Sequence, residues 1–302
     1  MKTEPKVTIG LPVYNGEKFL RRRIDSVLSQ SFKNFEFIIS DNASSDSTQA
    51  ICEEYAKKDS RIRYIRQEKN SGPNWNFNFV IKEAKSEYFA WVAADDVILP
   101  EFLEMNIRVL ESAKNVVGSI SKVKLYDLPA DPNSNSIDIA FDNFRNKLVS
   151  TFRPSDAHVI TGSYEQKVRF LFKKSAYQVM YGLCRADKLL KSIVDESYVG
   201  HDIAIVLNLL KHGDIHMLDE VLLYRFKSGM STKGIISIAR QFNKGLAGVI
   251  FPHLPITLWC AKHLGLKLFL RNIDHFLELN TGSELLLIID LVRILIHKIS
   301  RK

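Results

Sequence analysis

The chain predicts an α/β fold built on a mostly parallel central sheet, followed by a helical C-terminal tail, and three observations carry that prediction. Short apolar runs alternate with amphipathic stretches of helical period through the first hundred residues. Strands separated by helices need crossover connections, and these make neighbouring strands parallel. Three of the runs end on polar residues, at Tyr14-Asn15, Asp41-Asn42 and Asp95-Asp96. Beyond about residue 246 the alternation gives way to Leu- and Ile-rich sequence broken by Pro252 and Pro255.

The elements follow in order. Val7 to Tyr14 (VTIGLPVY) reads as a short buried strand. Glu17 to Gln30 places Phe19, Leu20, Ile24, Val27 and Leu28 on one helical face, with Arg21, Arg22 and Arg23 outside or at its flank. Phe35 to Asp41 is a second strand, and Ser44 or Ser45 is placed to cap a helix running through Lys58. Ile62 to Arg66 is a third strand, Asn74 to Ala84 a third helix, and Tyr88 to Ala94 a fourth strand that runs straight into Asp95 and Asp96. Val97-Ile98-Leu99-Pro100-Glu101 then ends the strand and opens a helix. Val117 to Tyr126 reads as a strand, and the turn formers of 127–136 (DLPADPNSNS) as an exposed loop whose continuation through His158 has no clear period. Gly200-His201-Asp202 leads into a helix from Ile203 to Lys211, and Gly213 to Arg225 reads as a turn and a strand.

Composition bounds the function. With 302 residues, 46% of them hydrophobic, the chain can bury a large core. The formal charge of +8 suits nucleic acid, an anionic membrane surface or a phosphorylated substrate. Nucleic acid is set aside, because its recognition needs a basic stripe with stacking aromatics, whereas much of this excess lies in Arg21–Arg23 and the tail. Cys52, Cys184 and Cys260 are far apart and form no CxxC pair, which argues against a disulfide framework or zinc site and fits a reducing cytoplasm. Met1 to Lys6 passes directly into a strand, so no signal peptide is expected, and no apolar run reaches the roughly 20 residues that span a bilayer.

The strand ends carry the chemistry. Two adjacent acids at the end of a buried strand repel each other and lose water, so a positive group must compensate them; a divalent cation holding a phosphate does so through carboxylate oxygens. The alternative for Asp95 and Asp96 is a helix cap plus a turn residue. In parallel sheets ligands sit beyond the carboxyl ends of the strands, which would bring Tyr14-Asn15, Asp41-Asn42 and Asp95-Asp96 to one edge. The chain has neither GxGxxG nor GxxxxGK[ST], so no glycine-rich loop cradles a phosphate. Pro12 fixes the backbone ahead of Tyr14, an aromatic placed to stack on a base, and Asp41 can accept from a base N–H or a ribose hydroxyl. Each has a plainer reading: Tyr14 as an edge-of-core aromatic, Asp41 as a turn residue.

These residues resemble a known family. Ile9-Gly10-Leu11-Pro12-Val13-Tyr14-Asn15-Gly16, then Ser26-Val27-Leu28-Ser29-Gln30-Ser31, looks like the opening of the family 2 glycosyltransferases. Ile38 to Thr48 (IISDNASSDST), Asn70-Ser71-Gly72-Pro73, the Asn-rich helix and Glu87-Tyr88-Phe89 continue the match in order, strongly over about 5–113 and more weakly over 180–232. The resemblance implies a GT-A fold, a nucleoside-diphosphate-sugar donor, a divalent metal (Mn2+ or Mg2+) and inversion at the anomeric carbon. It implies a transferase domain over 1–235, with a nucleotide-sugar half (1–115) and an acceptor half (116–235), and a helical tail over 236–302. Carried over, Pro12, Tyr14, Asn15 and Asp41 belong to the nucleotide site, Asp95 to the donor and metal, and Asp202 to the catalytic base. Asp95 falls on the last acid of the family's Asp-x-Asp motif and Ala93 on its first, so Asp96 is the candidate second metal ligand. Arg225 is expected near the diphosphate, as is Lys227, which stands where relatives often have His. His201 stands where an acid is frequent. Met230-Ser231-Thr232 is a mobile-loop candidate.

The tail completes the expectation. From Glu284 to Lys302, Asp290, Arg293, His297 and Arg301 form one polar stripe on an otherwise apolar helix. That pattern suits an interfacial helix on anionic lipid, or equally one packed on the catalytic domain or in a homodimer, through residues 246–302. The expected function is a cytoplasmic transferase, peripheral on the inner membrane face. It would move a sugar from a UDP- or dTDP-type donor to a glycan or lipid-linked acceptor, in cell-surface polysaccharide or glycolipid assembly. The alternative is a degenerate transferase serving as a scaffold or partner subunit, for which Ala93 and Lys227 speak. A nucleotidyltransferase would need a glycine-rich, Arg-Lys-containing N-terminal loop that this chain lacks.

Overall fold

A computed structural model describes residues 4–94, 96–126, 158–174, 177–226, 234–243 and 245–299. Asp95, Lys227, the turn-rich stretch from Asp127 and the Met230-Ser231-Thr232 segment lie outside the described residues. Eight strands form one sheet: β1 (Val7–Val13), β2 (Phe35–Asp41), β3 (Ile62–Arg66), β4 (Tyr88–Trp91), β5 (Val97–Ile98), β6 (Val116–Tyr126), β7 (Leu183–Arg185) and β8 (Asp214–Phe226). Their order is β3-β2-β1-β4-β7-β6-β8-β5. The β1–β2, β1–β4, β2–β3 and β6–β8 pairs are parallel, and β7 and β5 join antiparallel. β7 is the splice between the two halves, pairing with β4 on one side and β6 on the other.

Period-two burial on both faces explains the layering. Phe37, Ile39, Tyr88 and Ala90 pack with Leu20, Ile24 and Val27 of α1 (Glu17–Leu28) and Phe102 and Leu103 of α4 (Phe102–Ser112). Their neighbours Ile38, Phe89 and Trp91 turn to the other face, against Val80 and Ile81 of α3 (Pro73–Lys82) and a second helical layer. That layer holds α5 (Tyr164–Lys174), α6 (Ala186–Leu190) and α7 (His201–Leu209); α2 (Thr48–Lys58) lies beside α1 and β3. Pro12 is tolerated inside β1 for a simple reason. Gly10 O accepts from Val92 N at 3.0 Å, so Pro12, two residues on, faces the same side, where β4 has ended and no ladder donor is needed.

The tail comprises α8 (Ile235–Phe242), α9 (Gly245–Ile250), α10 (Leu254–His263), α11 (Leu266–Leu270) and α12 (Ile273–Ile299). The last helix starts well before the expected Glu284, and Asp290 of its polar stripe turns inward, accepting from Ile236 N at 3.2 Å. Among the described residues no helix is long and apolar enough to cross a membrane. Cys52, Cys184 and Cys260 are buried free thiols, each pushed up to about 12 by burial.

Candidate active site

The carboxyl ends of β1 and β2 are bound into one loop cluster. Asn15 adopts the left-handed region at φ 50°, which asparagine tolerates. Its backbone N–H donates to Ser44 Oγ at 2.9 Å and its Oδ1 accepts from Ser45 N at 2.8 Å. Gly16 N donates to Thr48 Oγ1 at 2.9 Å, and a Cβ placed on Gly16 would lie 3.8 Å from Ala94 Cβ. The residue before Asp95 therefore adjoins the end of β1. Tyr14 stands at this junction with half its surface open, at 50% exposure, so its ring is free to meet a planar ligand.

Asp41 is fully buried beneath this cluster. Its Oδ1 accepts from Ser44 N at 2.8 Å, while Oδ2 accepts from Tyr64 Oη at 2.9 Å and Arg66 Nη1 at 2.8 Å. Arg66 also donates to Ser44 O at 2.9 Å. Burial and the Asp41 charge together push the Tyr64 hydroxyl far above its ordinary range. Neither Tyr64 nor Arg66 figured among the expected site residues. The parallel register that sets Arg66 beside Asp41 was the signal available, since Arg66 ends the third strand just as Asp41 ends the second.

The Asp96 end is built differently from the expectation of an open metal ligand. Asp96 is 4% exposed. Its Oδ1 accepts from Phe226 N at 3.4 Å, and its Oδ2 lies 3.6 Å from Arg225 Nε. Arg225 in turn lies over the Tyr181 ring at 4.7 Å. A carboxylate and a guanidinium that share one partly desolvated site neutralise each other, so Asp96 fastens the end of β8 to the strand that leads into Asp95. On the other side Arg23, 1% exposed, donates through Nε to Ala93 O at 2.6 Å. The sequence pattern placed Arg23 outside or at the flank of the apolar face; its guanidinium is drawn in by that carbonyl. Among the described residues no group of three His, Cys, Asp or Glu side chains could hold a metal ion. Asp96 thus faces Arg225 across 3.6 Å, and Asp95 lies outside the described residues.

A polar chain links the strand ends to the Asp202 turn. Asn42 donates through Nδ2 to Asn70 Oδ1 at 2.9 Å and to Gly72 O at 3.1 Å, which sets the start of α3. Asn74 Nδ2 then reaches Ser197 Oγ at 3.3 Å. Three residues on, Gly200 takes the left-handed region at φ 86° and opens α7, leaving Asp202 half-buried in its first turn. His201 beside it is 5% exposed; burial pushes its imidazole down to about 4, against the opposing pull of Asp202. His201 is therefore neutral near pH 7. Pro12, Tyr14, Asn15 and Asp41 thus form one cluster, Asp96 and Arg225 a second, and Asp202 stands at the end of the chain through α3.

Comparison with known proteins gives the family and the fold. The family model "Glycosyl transferase family 2" matches residues 8–178. An uncharacterized glycosyltransferase of Rickettsia typhi is 40% identical over 111 residues, 37% of this chain and 34% of that protein. The glycosyltransferase GlyA of Streptococcus pneumoniae is 36% identical over 104 residues, 34% of this chain and 15% of that protein. The chain thus matches about a third of the length of these relatives, or less. Among solved structures, S. aureus TarS 1–349 in complex with UDP-GlcNAc superimposes with a TM-score of 0.56 at 19% identity, over 87% of this chain and 77% of that one. The mannosyltransferase PcManGT from Pyrobaculum calidifontis, in complex with GDP-Man and Mn2+, does so with 0.52 at 15% identity, over 97% and 88%. These likenesses show a shared GT-A-type fold. With more than half of its length matched by the family model, the chain belongs to the family 2 glycosyltransferases.

Proposed function

We propose that this chain is an inverting glycosyltransferase that moves a sugar from a nucleoside-diphosphate sugar, of UDP or dTDP type, to a hydroxyl of a glycan or lipid-linked acceptor. The observation that carries the reading is the pair of strand ends β1 and β2, which bring a half-exposed Tyr14 and a buried, charge-paired Asp41 to one edge in a chain of this family. Residues 1–235 are read as the transferase domain, the first 115 holding the donor and the rest the acceptor side, and 236–302 as an attachment region. The neighbour bound to UDP-GlcNAc and the one bound to GDP-Man support a nucleotide-sugar donor as a class.

In this reading Tyr14 stacks on the base, while Pro12 and Asn15 shape the wall around it. Asp41 fixes the nucleoside side by holding Tyr64 and the partly exposed Arg66 in place. Asp202 accepts the proton of the acceptor hydroxyl as that oxygen attacks the anomeric carbon from the face opposite the diphosphate. The bond from carbon to diphosphate oxygen breaks, the diphosphate leaves with the electron pair, and the configuration inverts. A divalent cation, held by Asp95 and the donor's own oxygens, would supply charge to the departing diphosphate. Arg225, held by Asp96, is read as the wall of the diphosphate side, and Lys227 as the residue that offsets the diphosphate charge.

His201, neutral next to Asp202, places no cation of its own against the carboxylate. The work is placed in cell-surface polysaccharide or glycolipid assembly, on the cytoplasmic face of a membrane. Release of nucleoside diphosphate from a panel of UDP- and dTDP-sugars, with Asp202→Asn beside the parent, tests the reading. Turnover in the parent that Asp202→Asn removes supports it. A parent that binds no donor and turns over none moves the scaffold reading ahead.

A further inference from the structure

The described residues leave 22 large hydrophobic side chains exposed, and 16 of them lie between Leu246 and Ile299. Such a concentration marks an interaction surface rather than the ordinary scatter of apolar groups on a protein exterior. The organisation of α12 explains why. Counting 100° per residue, Phe276, Leu279, Ser283 and Asp290, all buried, share an arc of about 60° that faces the protein body. Leu277, Leu285, Ile288, Val292, Leu295 and Ile299, all exposed, share an arc of about 80° on the opposite side. The outer side is apolar and uncovered by the chain itself, and towards its end the helix is open on the other side too, where Ile294, at the azimuth of Phe276, is 46% exposed. The shorter helices repeat the device with exposed i, i+4 pairs, Leu254 with Leu258 and Leu266 with Leu270. Asn280 Nδ2 donates to Thr257 Oγ1 at 2.8 Å, so α10 lies alongside α12.

We infer that this outer face of residues 246–299 docks on an anionic phospholipid surface, with α12 lying in the interface plane. The inference rests on the membrane-facing transferase reading above and gives it a surface. Two observations select lipid over a second copy of the chain. Leu285, Ile288, Val292, Leu295 and Ile299 do follow the 3-4 spacing of a coiled-coil seam. However, of the flanking positions Ile289, Leu291 and Ile296 are apolar and only Glu284 and Lys298, at the two ends, are charged, so through its middle the arc is wider than a two-stranded seam. The acids Asp274, Glu278 and Glu284 also lie ahead of Leu285 in α12. The stretch from Leu285 on carries five of the six residues of the outer arc, with Asp290 turned inward and Lys298 exposed. Arg301 and Lys302 follow in sequence, and this complements anionic headgroups.

The test is co-sedimentation of the full chain with vesicles of phosphatidylcholine alone and of phosphatidylcholine with phosphatidylglycerol at about 7:3. The parent is expected to bind the anionic vesicles at least about tenfold more tightly than the neutral ones, since each base near such a surface adds to the attraction. Ile288→Glu combined with Val292→Glu and Leu295→Glu is expected to abolish binding while thermal unfolding stays at the parent value. Lys298→Glu, which leaves the apolar face intact, should lower the preference for anionic vesicles. Absence of sedimentation with either vesicle overturns the inference. So does light scattering that shows the parent as a dimer and the triple variant as a monomer, because a second copy then covers the face. Diphosphate release is measured without vesicles, which keeps the two readings apart. An inactive chain that binds vesicles supports this inference and overturns the transferase reading, and an active chain that binds none overturns this inference alone.

Discussion

Replacing Asp41 with Asn isolates what a buried carboxylate contributes at the strand ends. The side chain keeps its size, its Oδ1 can still accept from Ser44 N, and the new amide can donate to the Tyr64 hydroxyl. What it cannot do is accept from Arg66 Nη1, now 2.8 Å from a group that is itself a donor. A hydrogen bond to a charged group contributes about 1.5–3 kcal/mol. Arg66 is 36% exposed and can return to water, so Asp41→Asn is expected to cost about 2 kcal/mol, towards the lower end of that range. Tyr64→Phe removes one bond and leaves the carboxylate paired, and should cost about 1 kcal/mol. Urea unfolding followed by tryptophan fluorescence gives both values, and their order matters more than either alone. The same Asn variant should also bind nucleoside diphosphate more weakly, because Arg66 loses the carboxylate that holds it at the site. An Asp41→Asn protein within about 0.5 kcal/mol of the parent would refute the reasoning, since surface changes stay within that band and a buried charged acceptor should not.

Three further outcomes follow from the same geometry. Asp202→Asn should lower turnover by about 10²–10⁴, the usual contribution of a general base, while leaving donor affinity and the unfolding midpoint unchanged. His201 is held neutral to about pH 4, against 6.5 for an unburied histidine, so below pH 6.5 the unfolded chain takes up a proton that the folded chain refuses. Stability should fall as pH drops from about 6.5 to 4, by up to about 3 kcal/mol, and His201→Leu should flatten that slope in pH-dependent urea titrations. Gly10→Ala would set a Cβ 2.6 Å from the Phe89 ring and 2.8 Å from Val80 Cγ2. It should therefore lower stability by about 1–3 kcal/mol by overpacking the core beneath the site, read from the unfolding midpoint.

Much of the first half was legible because its period is strong. Phe35–Asp41 and Ile62–Arg66 appear as strands with the bounds their sequence suggests, and the α/β alternation led directly to parallel pairing. The missed elements are those whose signal is short or long-range. Leu183–Arg185, three residues, carries no period, and only its pairing with both β4 and β6 makes it a strand. Ile273 to Gly282, with Asp274, Glu278, Asn280, Thr281 and Gly282, reads as polar punctuation, although in the fold it is the first third of α12. At the site, the local cues for Tyr14, Asn15 and Asp41 were motif spacing. The Asp96–Arg225 pair joins residues 129 apart in sequence, and no local pattern announces that Asp96 meets a guanidinium. Arg23 shows the same limit: helical spacing assigns it a direction, but the Ala93 carbonyl that draws its side chain inward lies 70 residues on.

The central claim is that the ends of β1, β2 and β4 form a nucleotide-sugar site, and calorimetric titration tests it most directly. UDP, dTDP and GDP are titrated into the purified chain with and without Mn2+, and then into Asp41→Asn and Asp95→Ala. The account predicts that UDP or dTDP binds, that Mn2+ strengthens binding in the parent, that Asp95→Ala removes the metal effect and that Asp41→Asn weakens binding in both conditions. Absence of binding by all three nucleotides, with and without metal, in a folded parent protein would contradict it.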